Sequence, residues 1–155
     1  MHDVKWTRDL SIGVVGIDRQ HKELISTVNR LRHMLNENEL SGRDMVIKTV
    51  PFLCKYIEEH FKLEESLFTT TDYPHKTDHI EQHRAFLNET MEIVGMNRYD
   101  KACCEELLAF LLNWLVQHVS TMDRLCKPYF VKAHRRLSPL KRLAQWLGFL
   151  FIAGE

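Results

Sequence analysis

The sequence is short of punctuation. Six glycines and four prolines are spread over 155 residues, too few for the frequent turns of an all-β chain or for a low-complexity linker. Strict alternation of apolar and polar residues is missing, except briefly in "SIGVVGI". The longest apolar stretch, around "WLGFLFIAG", is too short to span a bilayer. The opening "MHDVKWTRDL" has no apolar core of a signal peptide, so a cytoplasmic protein is expected. None of Cys54, Cys103, Cys104 and Cys126 makes a C-x-x-C pair, which removes zinc-ribbon and thioredoxin-like readings. Reduced thiols are expected instead. Net charge is absent too: 21 Lys and Arg balance 21 Asp and Glu, so the total points to no nucleic-acid or membrane partner. The distribution is uneven, with −6 over residues 1–123 and +6 over residues 124–155.

What is present is helix periodicity. Four segments carry it, from about residue 18 to 38, 43 to 69, 76 to 96 and 100 to 122. In the first, Ile17, His21, Leu24, Val28, Leu31 and Leu35 are spaced 4-3-4-3-4. In the second, Val46, Val50, Leu53, Ile57, His60, Glu64 and Leu67 follow the same rule, with Pro51 early enough to kink the helix. In the fourth, Cys104, Leu108, Leu111, Leu115, His118 and Met122 do so. The breaks "NENELSG", "TTTDYPH" and "GMNRYD" separate them. Four long amphipathic helices with short links predict an all-α fold, an up-down four-helix bundle. Residues 1–17 read as an arm laid over the bundle, with Trp6 as its anchor.

The seams hold residues that do not belong in an apolar core. His21, His60 and His118 occupy seam positions on three segments, and Glu64 shares a face with His60. The third segment carries His79 and His83, four apart and so on one face. Asp123 follows His118 by five residues, roughly 140° around an ideal helix, and needs a helix end or local unwinding to join it. A lone seam histidine is usually a hydrogen-bonded core residue. Five imidazoles and a carboxylate facing one interior are different, because each would need its own buried partner. A metal is a partner for all of them at once. A tetrahedral zinc uses at most four ligands, and calcium and magnesium prefer oxygen. Seven side chains suit two six-coordinate metals such as iron or manganese. With both carboxylates and an oxo or hydroxo group bridging, eleven of twelve positions are filled and one stays open for a small ligand. Neither E-x-x-H nor H-E-x-x-H occurs, which argues against a ferritin-like di-iron enzyme and a zinc protease. Reversible ligand binding is favoured, and no catalytic residue is assigned. The remaining histidines, His2, His33, His75 and His134, read as ordinary.

These residues resemble the hemerythrins of the bacterial single-domain kind. The resemblance runs from Trp6 to about Asp123 through "GIDRQH", "HFKLEE", "YPHKTDHIEQH" and "WLVQHVSTMD". It implies two iron ions with a bridging oxo or hydroxo group and reversible binding of dioxygen for storage, delivery or sensing. It further implies that His79, His83 and His118 hold the coordinatively full iron, that His21 and His60 hold the open one, and that Glu64 and Asp123 bridge. Leu24, Phe61, Trp114, Leu115 and Val119 match the apolar oxygen pocket, although each reads equally well as core packing. Cys126 stands where many relatives carry an aromatic. The alternative functions are a di-iron enzyme acting on nitric oxide or peroxide, or an oxygen- or redox-sensing module that signals through its C-terminal tail.

The hemerythrin-like unit is expected over residues 1–130, with 131–155 as a basic extension. From Pro139, Leu140, Leu143, Ala144, Leu147, Leu150 and Phe151 form an apolar stripe with Lys141, Arg142 and Gln145 off it, the pattern of an amphipathic helix. Residues 137–155 then fold back on the acidic bundle, join a protein partner or a second copy, or lie on a membrane surface. The last would make the protein peripheral at the inner membrane.

Overall fold

Residues 3–37, 40–95 and 100–136 are described by the computed structural model. Among them every regular element is helical. The four periodic segments become four rods. The first is α1 (Val15–Glu37). The second is α2 (Gly42–Tyr56), a π-helical turn (Ile57–Phe61) and α3 (Lys62–Phe68), running on without a break. The third is α4 (Lys76–Gly95). The fourth is α5 (Lys101–Trp114), a π-helical segment (Leu115–Asp123) and α6 (Arg124–Arg136). Polar side chains start two of the rods. Ser41 Oγ accepts from the Asp44 amide at 3.2 Å, and Asp100 accepts from the Cys103 amide at 2.8 Å.

Packing α1 against α2 and α5, and α4 against α5, closes an up-down bundle. Its core comes in two apolar layers. One is built around Leu24, Val28, Leu31, Leu53, Phe86, Leu107 and Leu111. The other joins Ile12, Val14, Ile17, Leu63, Leu67, Phe68, Tyr73 and Phe130. The chain passes from one layer to the other through His21, His60 and His118, so a buried polar layer lies between two dry ones.

The fourth rod is longer than its periodicity implied. It does not stop at Met122 but continues to Arg136, carried by Cys126, Phe130 and Ala133, which are buried at helical spacing. These find cover on Ile12 and Val14 of the N-terminal arm. The boundary expected at residue 130 thus falls inside α6. The amphipathic stripe from Pro139 lies outside the described residues. No described helix is long and apolar enough to cross a membrane.

The arm is pinned at several points. The Val4 amide donates to Asn29 Oδ1 and its carbonyl accepts from Asn29 Nδ2, both at 2.9 Å. Trp6 is only half-buried, with the Lys22 ammonium 5.0 Å above its ring. The deeper anchors are Ile12 and Val14. "SIGVVGI" therefore forms no strand: it turns at Gly13, whose φ is +77°, and enters α1. Gly13 is doubly required there, because a Cβ would lie 3.2 Å from Val131 Cγ2. Asp18 ties the turn down. Its carboxylate accepts from Ser11 Oγ at 2.6 Å and from the Ile12 amide at 2.8 Å. Replacing Asp18 with Ala removes both bonds. The expected loss is about 2 kcal/mol, read as a fall in Tm of roughly 4–8 °C.

Candidate metal centre

The seven polar residues singled out by spacing are brought together in the layer between the two apolar clusters. His21, His60, His79, Glu64 and Asp123 are fully buried, and His83 and His118 nearly so. Each rod contributes. The two π-helical segments lie where the rods enter this layer: His60 sits in the first, and His118 and Asp123 in the second. This answers the awkward five-residue interval. A π turn needs more residues than an α turn, so positions five apart come close to one face. Asp123 Oδ1 accordingly lies 3.1 Å from His118 Nε2. Within that segment the Ser120 and Thr121 hydroxyls donate to the carbonyls of Val116 and Gln117, four residues back.

The carboxylates are the hubs. Glu64 Oε2 lies 3.1 Å from His83 Nε2, 3.3 Å from His79 Nε2 and 3.8 Å from His60 Nε2. Asp123 reaches His21 Nε2 at 3.0 Å and His79 Nε2 at 3.2 Å. The donor atoms fall into two compact groups. Glu64, His79, His83 and His118 make one; His21, His60, Glu64 and Asp123 make the other. Glu64 belongs to both.

Three rings are oriented from behind. His60 Nδ1–H donates to Gln20 Oε1 at 3.2 Å, His118 Nδ1–H to Gln82 Oε1 at 3.1 Å, and His83 Nδ1–H to Glu65 Oε1 at 3.3 Å. A proton on Nδ1 leaves Nε2 as a lone pair. That lone pair then faces a carboxylate oxygen, acceptor against acceptor. The Nε2 of His60, His83 and His118 is thus buried with no hydrogen-bond partner, while His21 and His79, whose Nδ1 is unbonded, face Asp123 through Nε2 at 3.0 and 3.2 Å. Such a set is costly when left unfilled and suits cations placed among its atoms. The residues present fit a pair of metal ions.

The electrostatics of these side chains point the same way. Burial pushes the Glu64 and Asp123 carboxyls up, but the surrounding imidazoles outweigh it and hold both below the usual carboxylate range. Burial lowers His60 to about 3 despite Glu64 beside it. His79 is pushed down by burial but sits between both carboxylates, which raise it to about 9. Burial, then Asp123 and Glu64, drives the Tyr56 phenol well up, and its hydroxyl is buried without a partner.

Leu24, Phe61, Trp114, Leu115 and Val119 all lie in the apolar layer that abuts the cluster. Trp114 stacks on His118 with centroids 4.0 Å apart. Cys126 is buried on the other side, within 4.8 Å of His79 and Asp123 donor atoms, and its thiol bonds to the Asp123 carbonyl at 3.1 Å. Burial keeps that thiol far above its usual range, so it stays protonated. His33 and His75 lie apart on the surface, paired with Asp3 and Asp78. Gln20, Glu65, Gln82 and Tyr56 were not singled out by spacing. The first three sit one residue beside His21, Glu64 and His83, yet each serves a histidine of another rod, which periodicity does not report.

The chain matches the family described as the hemerythrin HHE cation binding domain over residues 13–130. It is similar to the bacteriohemerythrin of Stenotrophomonas maltophilia, 30% identical over 146 residues, which cover 92% of each chain. It is also similar to the bacteriohemerythrin of Clostridium acetobutylicum, 25% identical over 77% of this chain and 95% of the relative. A hemerythrin-like protein of Naegleria gruberi is 25% identical over 76% and 86%.

Proposed function

Because this chain belongs to the hemerythrin HHE cation-binding family, we propose that it is a non-enzymatic dioxygen-binding protein with two iron ions at the buried cluster. The observation that carries the reading is the convergence of seven buried side chains whose donor atoms fall into two groups sharing Glu64. In this reading His79, His83 and His118 hold one ion, and His21 and His60 hold the other. Glu64 and Asp123 serve both. Two iron ions would supply the redox pair that takes up and releases dioxygen.

The protein's own part is to orient, enclose and keep dry. Gln20, Glu65 and Gln82 fix the tautomers of His60, His83 and His118, so that Nε2 is the nitrogen that faces inward. Phe61, Trp114, Leu24, Leu115 and Val119 form an apolar wall that admits a small neutral molecule and slows water and protons. The donor set gives less anionic support than a four-carboxylate site, which favours binding over oxidation of a substrate. The neighbouring thiol, Cys126, is held protonated by burial. Storage, delivery and sensing share this site. A sensing role would use residues 137–155 as its output.

The test is an anaerobic-to-aerobic absorption titration with iron analysis on the same sample. Two irons per chain are expected, with a visible charge-transfer band that appears with oxygen and disappears on its removal. A two-iron preparation without that band would sink the reading. Catalytic turnover of nitric oxide or peroxide would replace it with the enzymatic one.

A further inference from the structure

We infer that Glu65 is a positioning residue that makes His83 the strongest imidazole donor of the cluster, and that it thereby sets metal affinity and redox balance on the three-histidine side. The inference rests on the metal-binding reading above. Its basis is an asymmetry among the groups behind the rings. Gln20 and Gln82 offer neutral amide oxygens to His60 and His118. Glu65 offers His83 a carboxylate, at 3.3 Å from Nδ1. His21 and His79 have no partner for Nδ1 at all. One ring of five therefore has an acidic residue behind it.

The local geometry makes this contact directional. Phe61 stacks on His83 with centroids 3.8 Å apart and planes 3° apart, which fixes the plane of the imidazole. Glu65 then fixes its rotation within that plane. Phe61 and Glu65 are four residues apart on the second rod, so one helical face supplies both constraints. With both in place, His83 Nε2 points at Glu64 Oε2, 3.1 Å away. A carboxylate accepting the Nδ1 proton pushes electron density toward Nε2 more than an amide does, strengthening the bond to a cation there and favouring its oxidised state. His83 is 2% exposed whereas the Glu65 side chain is 41% exposed, so this charge is placed at the surface without the cost of burying a third carboxylate.

The experiment compares the full-length chain with Glu65→Gln, Glu65→Ala and Glu59→Gln. Ferrous ion is titrated anaerobically against a competing chelator. The midpoint potential of the iron-loaded proteins is then measured. Gln keeps a hydrogen-bond acceptor and loses only the charge. For Glu65→Gln one of the two ions is expected to bind 10- to 100-fold more weakly. The midpoint is expected to rise by the equivalent of about tenfold in the redox equilibrium, about 59 mV for one electron. Glu59, on the same rod and facing Lys55 at 3.8 Å, controls for loss of a nearby charge and should change neither. The Tm of the metal-free variants reports folding and should match the parent. Glu65→Gln with parental affinity and potential overturns the inference, as does Glu59→Gln shifting both equally. If the parent chain itself takes up no iron, the metal reading fails and carries this inference with it; parental uptake with an unchanged variant rejects the role of Glu65 alone.

Discussion

Glu64→Gln is expected to lower the iron content of the purified chain from two ions to one or none, measured by metal analysis against protein concentration. Glu64 belongs to both donor groups. Its Oε2 lies within 3.8 Å of three imidazole nitrogens. Gln has nearly the same shape, so the surrounding layers need not repack. It brings no charge to offset two cations, however, and its amide nitrogen is a donor where only acceptors are useful. The loss should therefore be one of binding, with helix content preserved in circular dichroism. A variant that retains two irons per chain would show that Glu64 is a core residue and nothing more.

Iron loading is expected to raise Tm strongly over the chelated protein. A ligand that binds only the folded state, at a free concentration 1,000 times its dissociation constant, stabilises by about 4 kcal/mol. In a chain of this length that corresponds to roughly 8–16 °C. The effect should depend on pH, with a sign set by the metal-free cluster. His79, raised to about 9, still holds its proton at neutral pH between Glu64 and Asp123. A metal must displace that proton, so affinity should climb about tenfold per pH unit from neutrality to about pH 9 and then level off. The raised His79 stabilises the metal-free fold fully below the unfolded value of about 6.5, and that contribution is lost as pH rises through 9. His60 acts oppositely. Held at about 3, it cannot take the proton that the unfolded chain accepts below about 6.5, so stability falls as the solution is acidified. The depressed Glu64 and Asp123 add to the acid-side loss. Metal-free protein should thus be most stable near pH 6.5, and the gap between loaded and metal-free Tm should widen from there to pH 9. Differential scanning calorimetry across that range checks both slopes. A gap that does not change with pH would mean that no proton is displaced.

Much of this was legible in the residue order. Periodicity gave three of the four rods, and the start of the fourth, to within a few residues, because each buries a stripe and a stripe must repeat with the helical turn. The same rule exposed His21, His60, Glu64 and His118 as polar intruders in apolar seams, and the i, i+4 pair His79 and His83 as their companions. Periodicity failed where its assumption of a regular α-helix failed. Asp123 looked misaligned with His118 because the chain runs there as a π-helix, whose wider turn has no signature in spacing alone. It also stopped the fourth rod too early, because Cys126, Phe130 and Ala133 are buried only once Ile12 and Val14 are laid over them.

By itself, then, the sequence determined which side chains must leave water and which of those are able to hold a cation, since both follow from residue type and helical repeat. Only the tertiary structure decided who stands behind whom. Gln20 reaches His60 across 40 positions and Gln82 reaches His118 across 36. Glu65, not its neighbour Glu64, turns outward to His83. Contacts between rods depend on their axial offset and rotation, which are set by how the two apolar layers pack, and no local pattern in one helix carries that information.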